Sequence, residues 1–452
     1  MEIHIQDTPR GYSLSITGPH WQADPCEISF PEEIWQGFPA KDSLKNELAY
    51  ILTQVTPVIL RHPTIWYPTP RPRFLDTYEE CFELSIPNMV EPIPAENSDE
   101  ILSLFRSILR YFPDKPASSG MEQLDGWNPR RVILPFTYGK DSLLSLATLS
   151  SLGYEVILVH IDECVLPRAK AIRKKQEGEF SAEHGFTYHQ VRNEIQLLSD
   201  WQVLDRPITR LHQVHIHFIY LFAMMPFCTY YRAPYIVLSN EYENSLPMVH
   251  RDGFIAPHRY MQSPRAAKRL AQIAKGFSNN QVTVVNPIGV LDNFSIHTIL
   301  HEEFPSLGRY RVTCHMEMTE YARWCHNCYR CAQPFIYSCA LGQDPEDMGF
   351  ESSMLVSEKM PLYSLFRKNV HKKDGYHRHV GIEEALAFLM AHCRGVRGEL
   401  MDYFEKRFLN DTRSRESGLR KRVFSLQARP GRTHPEKNAA AMYKKMLKRY
   451  RQ

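Results

Sequence analysis

The stretch RRVILPFTYGKDSLLSLATLSSLGYEVILVHIDE, residues 130–163, carries the clearest fold signal in this sequence. Residues 132–136 are apolar and β-branched, which predicts a buried strand. Residues 141–152 have apolar side chains at helical spacing, and Gly153 suits the C-terminal cap of that helix. Residues 155–161 repeat the pattern of a buried strand. The stretch therefore predicts strand, loop, helix and strand in that order.

Similar short apolar runs follow downstream, with helical or loop segments between them. They are FTYHQV, YIVLSN and VTVVNPI. Continuous apolar strands that alternate with helices are typical of a parallel sheet covered on both faces. The sequence therefore predicts an α/β fold with an open parallel sheet over residues 128–342.

The flanking regions have different patterns. Residues 1–115 contain alternating stretches such as EIHIQ and YSLSITG, which predict a separate accessory α+β region. The proline- and glycine-containing residues 113–129 predict a linker. Residues 343–452 predict a helical C-terminal extension, because GIEEALAFLMAHC and RGELMDYFEKRFL have helical apolar spacing.

The C-terminal tail is basic, with thirteen Lys or Arg and two Glu from Arg413 onward. Such a tail predicts a solvated or partly disordered face, and it leaves contact with nucleic acid open. The whole chain has a net charge of only +3, so charge alone selects no polyanionic partner. The N-terminus lacks the basic start and apolar core of a signal peptide. No apolar run approaches the roughly 20 residues of a membrane helix. We expect a cytoplasmic protein with no membrane partner, and homo-oligomerisation stays open.

The loop between the first strand and its helix has residue types suited to an anion. Free amides and the helix dipole attract negative charge at a helix N-terminus. Gly139 allows close approach of the backbone, Lys140 adds a positive charge and Ser142 offers a hydroxyl. Asp141 is expected to cap the helix or to help hold a metal. The combination predicts a polyphosphate site, and the alternative is an ordinary turn in which Gly and Asp serve only the backbone.

Residues 137–142, TYGKDS, resemble the PP-loop of the ATP pyrophosphatase superfamily, whose pattern is S-G-G-x-D-S. Thr137 stands for the first Ser and keeps a hydroxyl. Tyr138 stands for the first Gly, where its ring is expected to form a wall over the nucleotide. The resemblance implies a Rossmann-like PP-loop (HUP) fold and ATP and Mg²⁺ as ligands. It also implies cleavage of ATP between its α and β phosphates, with adenylation of a substrate oxygen.

Polar residues follow two further predicted strands. His160, Asp162 and Glu163 end the strand EVILVHIDE, and Asn240 and Glu241 end YIVLSN. Ligands of open parallel sheets bind at the carboxyl ends of the strands. We expect His160 and Asp162 to meet the nucleotide ribose or Mg²⁺. Asn240 and Glu241 are expected to bind substrate, hold Mg²⁺ or relay a proton. The alternative for each is a solvated strand end.

The predicted site therefore has two sets of residues in the PP-loop region. The catalytic set is Lys140, Asp141, Ser142, Asn240 and Glu241. The nucleotide-binding set is Thr137, Tyr138, Gly139, Lys140, Asp141, Ser142, His160 and Asp162.

A cysteine cluster predicts a metal centre. Cys325, Cys328 and Cys331 follow Cys314 with the spacing C-x10-C-x2-C-x2-C. Zn²⁺ prefers four such thiolates in a closed structural site. His315, His326 and Cys339 are alternatives to Cys314 as the fourth ligand, and an iron–sulfur cluster is the alternative to zinc.

Two branches of the superfamily resemble larger parts of the chain. A PP-loop followed by an upstream Cys and C-x2-C-x2-C resembles the 7-cyano-7-deazaguanine synthase branch, over residues 130–342. SNEYENS, CHNCYRCAQPFIYSCALG and MPLYSLFRKN resemble segments of the muramoyl-dipeptide L-glutamate epimerase family. The first branch implies amide and nitrile formation after adenylation, and the second implies epimerisation of an activated acyl group.

The functional hypothesis is thus an AMP-forming ATP pyrophosphatase that adenylates a small-molecule or peptide carboxylate. Pyrophosphate leaves first and AMP second, and the following step is ligation, amide or nitrile formation, or epimerisation. The alternatives are an RNA-modifying PP-loop enzyme of the tRNA-thiolation type and a non-catalytic protein that binds nucleotide and zinc.

Overall fold

The computed structural model describes residues 1–18, 21–22, 24–90, 97–117, 119–162, 167–195, 216–312 and 323–452. Within these ranges the chain is a mixed α/β protein with one large sheet and a short hairpin. No helix in the described ranges combines the length and apolar character that crossing a membrane requires.

Most described strands join the large sheet. The strands are β1 Glu2–Thr8, β2 Gly11–Gly18, β3 Trp21–Gln22, β4 Cys26–Ser29, β5 Thr64–Trp66, β6 Leu109–Tyr111, β7 Arg131–Pro135, β8 Glu155–Asp162, β9 Tyr188–Asn193, β10 Tyr235–Val237, β11 Pro247–Val249, β12 Ile255–Pro257 and β13 Thr283–Val285. The order in the sheet is β13-β10-β7-β8-β9-β4-β2-β1-β5-β6, with β3 beside β2, while β11 and β12 form the hairpin.

Helices surround this sheet and make up the C-terminal part of the chain. The first nine are α1 Glu32–Gln36, α2 Lys41–Thr53, α3 Thr56–Leu60, α4 Leu75–Val90, α5 Ser98–Ser107, α6 Lys140–Ser151, α7 Pro167–His184, α8 Ile216–Tyr231 and α9 Pro264–Phe277. The others are α10 Asn293–Glu303, α11 Pro305–Gly308, α12 Tyr329–Leu341, α13 Gly375–Cys393, α14 Glu399–Arg407, α15 Leu409–Ser414, α16 Glu416–Val423 and α17 His434–Met446.

The five predicted strands of residues 128–342 form a parallel sheet in the order β9-β8-β7-β10-β13. In chain order this is 3-2-1-4-5, the arrangement of doubly wound Rossmann-like sheets. The side chains of β7 and β8 are buried along most of their length because helices cover both faces. The prediction of an α/β fold is confirmed, and the order reverses direction between β7 and β10.

The N-terminal strands do not form a sheet of their own but extend the large sheet. Strand β4 pairs antiparallel with β9, with Ile28 opposite Asn193 and Ser29 opposite Arg192. Residues of both regions also share one hydrophobic core, in which Leu14 and Ile133 are fully buried. Alternation in the sequence indicates strands, but it does not show which edge a strand will pair with.

The predicted linker is fastened to the sheet region by Gln281. Its Oε1 accepts hydrogen bonds from the Leu124 amide and from Nε1 of Trp127, the latter at 2.9 Å. Its Nε2 donates to the Glu122 carbonyl at 2.8 Å. The backbone from Glu122 to Trp127 therefore lacks regular structure but is anchored by a side chain 150 or more residues away in sequence.

The C-terminal extension is helical, as the apolar spacing predicts, but its basic tail is not disordered. Tyr443 of α17 is fully buried, and its hydroxyl lies 2.8 Å from Oγ1 of Thr148 in α6. Val423 and Leu447 are also buried in the core formed by α10, α12 and α13. Most of the Lys and Arg side chains remain exposed, so the tail has a solvated basic face on a packed apolar one.

Candidate functional site

The loop after β7 and the segment after β10 meet at the point where the strand order reverses. Ligands of doubly wound sheets bind in the crevice at this point, outside the carboxyl ends of the strands. The hydroxyl of Ser239, just after β10, donates to Oγ of Ser145 in α6 at 2.8 Å. The side chains of Lys140 and Glu241 then contact each other across the crevice. Tertiary structure thus brings together Lys140 and Glu241, two residues of the predicted catalytic set that lie 101 residues apart in the sequence.

The backbone of the loop takes a left-handed conformation at Tyr138, with φ of 57°. The following Gly139 has φ of −71° and ψ of 152°, which any residue adopts without strain. The PP-loop pattern that this stretch resembles has a glycine at the position of Tyr138. Tyr138 keeps the left-handed backbone conformation that glycine favours. Gly139 is therefore not required by its dihedral angles, and what it contributes is the absence of a side chain.

The ring of Tyr138 does not cover the crevice, which corrects the expectation of an aromatic wall over a nucleotide. The residue is fully buried. Its ring centroid lies 4.7 Å from that of Phe136 and 5.4 Å from that of Phe180, both in edge-to-face geometry. Burying this ring offsets the cost of a left-handed tyrosine, so Tyr138 serves the core and only its backbone can serve the loop.

Replacing Tyr138 with glycine tests whether burial of the ring stabilises the protein by more than the left-handed backbone of a tyrosine costs. Glycine relieves a backbone penalty of roughly 1–2 kcal/mol. It also removes a buried aromatic ring, and such truncations cost about 3–5 kcal/mol. We expect Tyr138→Gly to lower the free energy of unfolding by about 2 kcal/mol in chemical denaturation. Tyr138→Phe keeps the ring and is the control. A stabilised Tyr138→Gly protein would contradict the assignment of the ring to the core.

The backbone N–H groups in the first turn of α6 remain able to bind a ligand. No side chain in the described ranges caps this helix, so the predicted capping role of Asp141 is wrong. The Asp141 carboxylate instead accepts from Nζ of Lys140 at 2.6 Å. The Ser142 hydroxyl donates to the Gly139 carbonyl at 3.1 Å and accepts weakly from the Thr137 amide at 3.5 Å. The helix therefore presents uncapped amides at the end of β7.

Lys140 is the centre of a buried ionic network at this point. Its Nζ contacts both Asp141 and Glu241, and the residue is 5% exposed. Burial opposes the charge, but the nearby carboxylates outweigh it and raise the pKa of Lys140. Desolvation raises the pKa of Asp141 to about 6 despite Lys140. Burial lowers the pKa of Arg311 to about 10, and the charges of Asp141 and Glu241 oppose that shift. Lys140 thus contacts two carboxylates in the crevice, and the charges of the same two carboxylates act on the buried Arg311.

Asn240 is held by two neighbours rather than pointing freely into the crevice. Its Oδ1 lies 3.2 Å from Nε2 of His217, which is buried in α8. Its backbone carbonyl accepts from Nδ2 of Asn286 at 2.9 Å. Burial lowers the pKa of His217 to about 4, so the imidazole is neutral at physiological pH. Asn240 therefore positions the segment that carries Glu241.

His160 and Asp162 lie at the carboxyl end of β8 and line a pocket of about 700 Å³. Oδ2 of Asp162 accepts from Nε2 of Gln190 at 3.2 Å, and Nδ1 of His160 lies 3.0 Å from the Phe136 carbonyl. The pocket also has three basic side chains, those of Arg10, Lys174 and Arg192. Glu163 lies outside the described residues. The N-terminal region supplies one wall of this pocket, a role that the sequence did not indicate.

A second ionisable cluster lies beside the Lys140 network and was not predicted. It consists of Glu243, Asp292, His379 and Glu383. Burial raises the pKa of the three carboxyl groups, that of Asp292 to about 7, and lowers the pKa of His379 to about 4. One signal was present in the sequence, because GIEEALAFL places two glutamates within an apolar helix. A pair of acids on a buried face is rare unless it is satisfied by a partner.

The three described cysteines of the predicted metal centre come together at the start of α12. The Sγ atom of Cys331 lies 3.7 Å from that of Cys325 and 3.5 Å from that of Cys328. Thiolates about 2.3 Å from a tetrahedral zinc are about 3.8 Å apart, so the spacing fits such a site. The three residues therefore form a cluster that could hold a metal such as zinc.

The described residues include two of the four candidates for the fourth ligand. Cys314 and His315 lie outside them. Nε2 of His326 accepts from the Glu351 amide at 3.1 Å, so that nitrogen is already engaged. Cys339 is eight residues beyond Cys331 in α12, about 12 Å along the helix, which places it too far away.

Comparison with protein-family models, curated proteins and solved structures found no match. The class that the fold itself defines is an α/β protein with a Rossmann-like parallel sheet, a polar crevice at the reversal of strand order and a thiolate cluster.

Proposed function

We propose that the protein is an ATP-dependent, AMP-forming enzyme with a PP-loop fold that adenylates a carboxylate of a small molecule or peptide. The observation that carries this proposal is the contact of Lys140 with Glu241 across the crevice, directly beside the uncapped amides of α6. Oriented amides and buried cations in a low-dielectric crevice stabilise negative charge that develops on a departing pyrophosphate.

The polyphosphate is proposed to lie at the first turn of α6. Gly139 leaves room there, because an added Cβ would meet only Oγ1 of Thr137 at 3.4 Å. Lys140 and Arg311 supply positive charge, and Asp141 and Glu241 are the carboxylates available to Mg²⁺. Bound Mg²⁺ would neutralise phosphate charge and favour cleavage between the α and β phosphates.

The adenosine half is proposed to occupy the 700 Å³ pocket at the end of β8. Its volume falls within the range of about 300–1,000 Å³ for small-molecule sites. Asp162 ends the second strand of the parallel sheet, the place where dinucleotide-binding sheets hold a ribose. The substrate carboxylate would then approach from the side of Glu241, which is suited to move a proton in the step after adenylation.

The Cys325, Cys328 and Cys331 cluster is proposed to hold a structural Zn²⁺, with Cys314 as the fourth ligand. The cluster joins the start of α12 to the loop before it, and the adjacent core includes Trp324 and Phe350. A closed thiolate site contributes folding energy and takes no part in the chemistry.

The test is an exchange of labelled pyrophosphate into ATP. We would incubate the protein with ATP, Mg²⁺, labelled pyrophosphate and pooled carboxylate metabolites. Label should enter ATP only when a carboxylate substrate is present, and the net products should be AMP and pyrophosphate. Formation of ADP and phosphate would contradict the proposal, as would the absence of nucleotide turnover with a complete metabolite extract.

A matched pair of lysine variants locates the activity. Lys140→Gln should lose the exchange, because it removes one of the two cations proposed to stabilise the pyrophosphate. Lys45→Gln is the control, because Nζ of Lys45 is likewise held between two carboxylates, Asp7 at 2.6 Å and Asp42 at 2.7 Å, but in the N-terminal region. Equal loss in both variants would indicate a general effect on folding, and equal retention would place the activity elsewhere.

A further inference from the structure

Three buried carboxyl groups converge on the first turn of α10 and satisfy its free amides. Each group uses one oxygen for this purpose. The second oxygen of Asp292 accepts from Nε2 of Gln427 at 3.2 Å, and that of Glu383 accepts weakly from the Tyr337 hydroxyl at 3.5 Å, so each keeps only part of its accepting capacity. The bonds join the amide of Asn293 to Glu243 at 2.9 Å, that of Phe294 to Glu383 at 3.0 Å and that of Ser295 to Asp292 at 2.9 Å. Capping accounts for one carboxylate at a helix N-terminus, but three acids in one apolar core exceed what a helix end neutralises.

A histidine points into the same cluster without a partner of its own. His379 of α13 is 4% exposed, and its Nε2 has no hydrogen-bond partner in the described part of the chain. That nitrogen lies 3.8 Å from Oδ2 of Asp292, beyond hydrogen-bond distance. One ring nitrogen of His379 and one carboxylate oxygen each of Glu243 and Glu383 lie within 4.8 Å of one another. A buried imidazole nitrogen without a partner among carboxylates is the arrangement that a bound cation would satisfy.

The nearby lysine does not supply the missing positive charge. Lys140 acts on Glu243 at a distance, but its Nζ contacts Asp141 and Glu241 instead. Asp292 and Glu383 also hydrogen-bond each other, so a shared proton relieves part of the charge of the cluster. A divalent ion between the carboxyl groups would take the place of that proton and would also give His379 a partner.

We propose that Glu243, His379 and Glu383, with Asp292 as a fourth donor, form a structural site for a divalent transition metal. Three carboxyl groups with one imidazole suit Mn²⁺. The donors need to draw together by about 1 Å to reach bonding distances near 2.1 Å. All four residues are 4% exposed or less, so the site is closed and keeps no position for a substrate. The ion would fasten α10, α13 and the segment after β10, which carries Glu241.

The test uses Mn²⁺ without nucleotide and with excess Mg²⁺, because the cysteine cluster prefers softer metals and Mg²⁺ then competes for the Asp141 and Glu241 carboxylates. Full-length protein is treated with chelator, its cysteine cluster is reloaded with one equivalent of zinc, free zinc is removed, and bound Mn²⁺ is measured by equilibrium dialysis. We expect one Mn²⁺ per chain, and a rise in the midpoint of thermal unfolding when it binds. His379→Gln and Glu383→Gln should each weaken binding at least about tenfold.

Glu384→Gln is the matched control. Glu384 is the next residue in α13 and is equally buried, but its carboxylate accepts from the Leu365 amide at 2.8 Å, outside the cluster. This variant should bind Mn²⁺ as the unaltered protein does. If the unaltered protein binds no Mn²⁺, or if His379→Gln binds it equally well, the proposal is overturned and the carboxyl groups serve only as helix caps. His379→Gln decides the matter even if Glu383→Gln fails to fold, because the imidazole caps no amide.

Discussion

Replacing Gly139 with valine is expected to lower AMP formation by about 100-fold or more while the fold persists. The φ of −71° and ψ of 152° at this position suit a β-branched residue, and an added Cβ would make only ordinary contact with Thr137. The side chain would then occupy the space in front of the α6 amides, where the pyrophosphate is proposed to lie. The measurements are AMP release by chromatography and thermal unfolding.

The loss of AMP formation should increase with the size of the side chain added at residue 139. Gly139→Ala is expected to lose less activity than Gly139→Val, because one methyl group blocks fewer amides. Gly418→Val in α16 is the control, since a Cβ there meets nothing within 4 Å and the helix lies outside the crevice. Unchanged ATP binding and turnover in Gly139→Val would show that this loop is an ordinary turn.

Replacing Cys328 with serine is expected to remove the metal and destabilise the whole C-terminal part of the protein. Structural zinc binding contributes on the order of 10 kcal/mol to folded small domains, and loss of a metal ligand is among the changes that cost more than about 4 kcal/mol. We expect the unfolding midpoint to fall by roughly 10 °C. Metal analysis should show one zinc per chain in the original protein and none in the variant.

Cys339→Ser separates loss of metal from loss of a buried thiol. Cys339 is 6% exposed and lies in the same helix, but it is not part of the thiolate cluster. Its replacement should destabilise the core while leaving the zinc content at one per chain. Retention of zinc by Cys328→Ser would contradict the proposed ligand set, and loss of zinc in Cys314→Ser would support Cys314 as the fourth ligand.

Local sequence patterns predicted the elements of the parallel sheet well. The runs VILPF and EVILVHI became β7 and β8, and the spacing of residues 141–152 became α6 within one residue at each end. These predictions work because burial on both faces demands continuous apolar strands, and a helix shows its buried face at every third or fourth residue. The cysteine spacing likewise predicted the thiolate cluster, because three ligands within seven residues lie close together in almost any turn.

Side-chain directions and long-range pairing could not be predicted in the same way. Tyr138 was expected to face a ligand but is buried, because the core beneath the loop has room for its ring between Phe136 and Phe180. The N-terminal strands were predicted as part of an accessory α+β region, and they extend the large sheet through β4 and β9. Both outcomes depend on which surfaces are left uncovered once the helices have packed.

The sequence by itself determined the strand, loop and helix around Gly139, the positions of the polar residues at the ends of β8 and β10, and the cysteine spacing. Each of these depends on residues close together in the chain. Only the tertiary structure decided that Lys140 would contact Glu241, that no described side chain would cap α6, and that Glu243, Asp292, His379 and Glu383 would share one buried cluster. Ion pairs and clusters of ionisable side chains form only where segments distant in the sequence come within a few ångströms of each other. Those distances are set by the packing of the sheet and its helices.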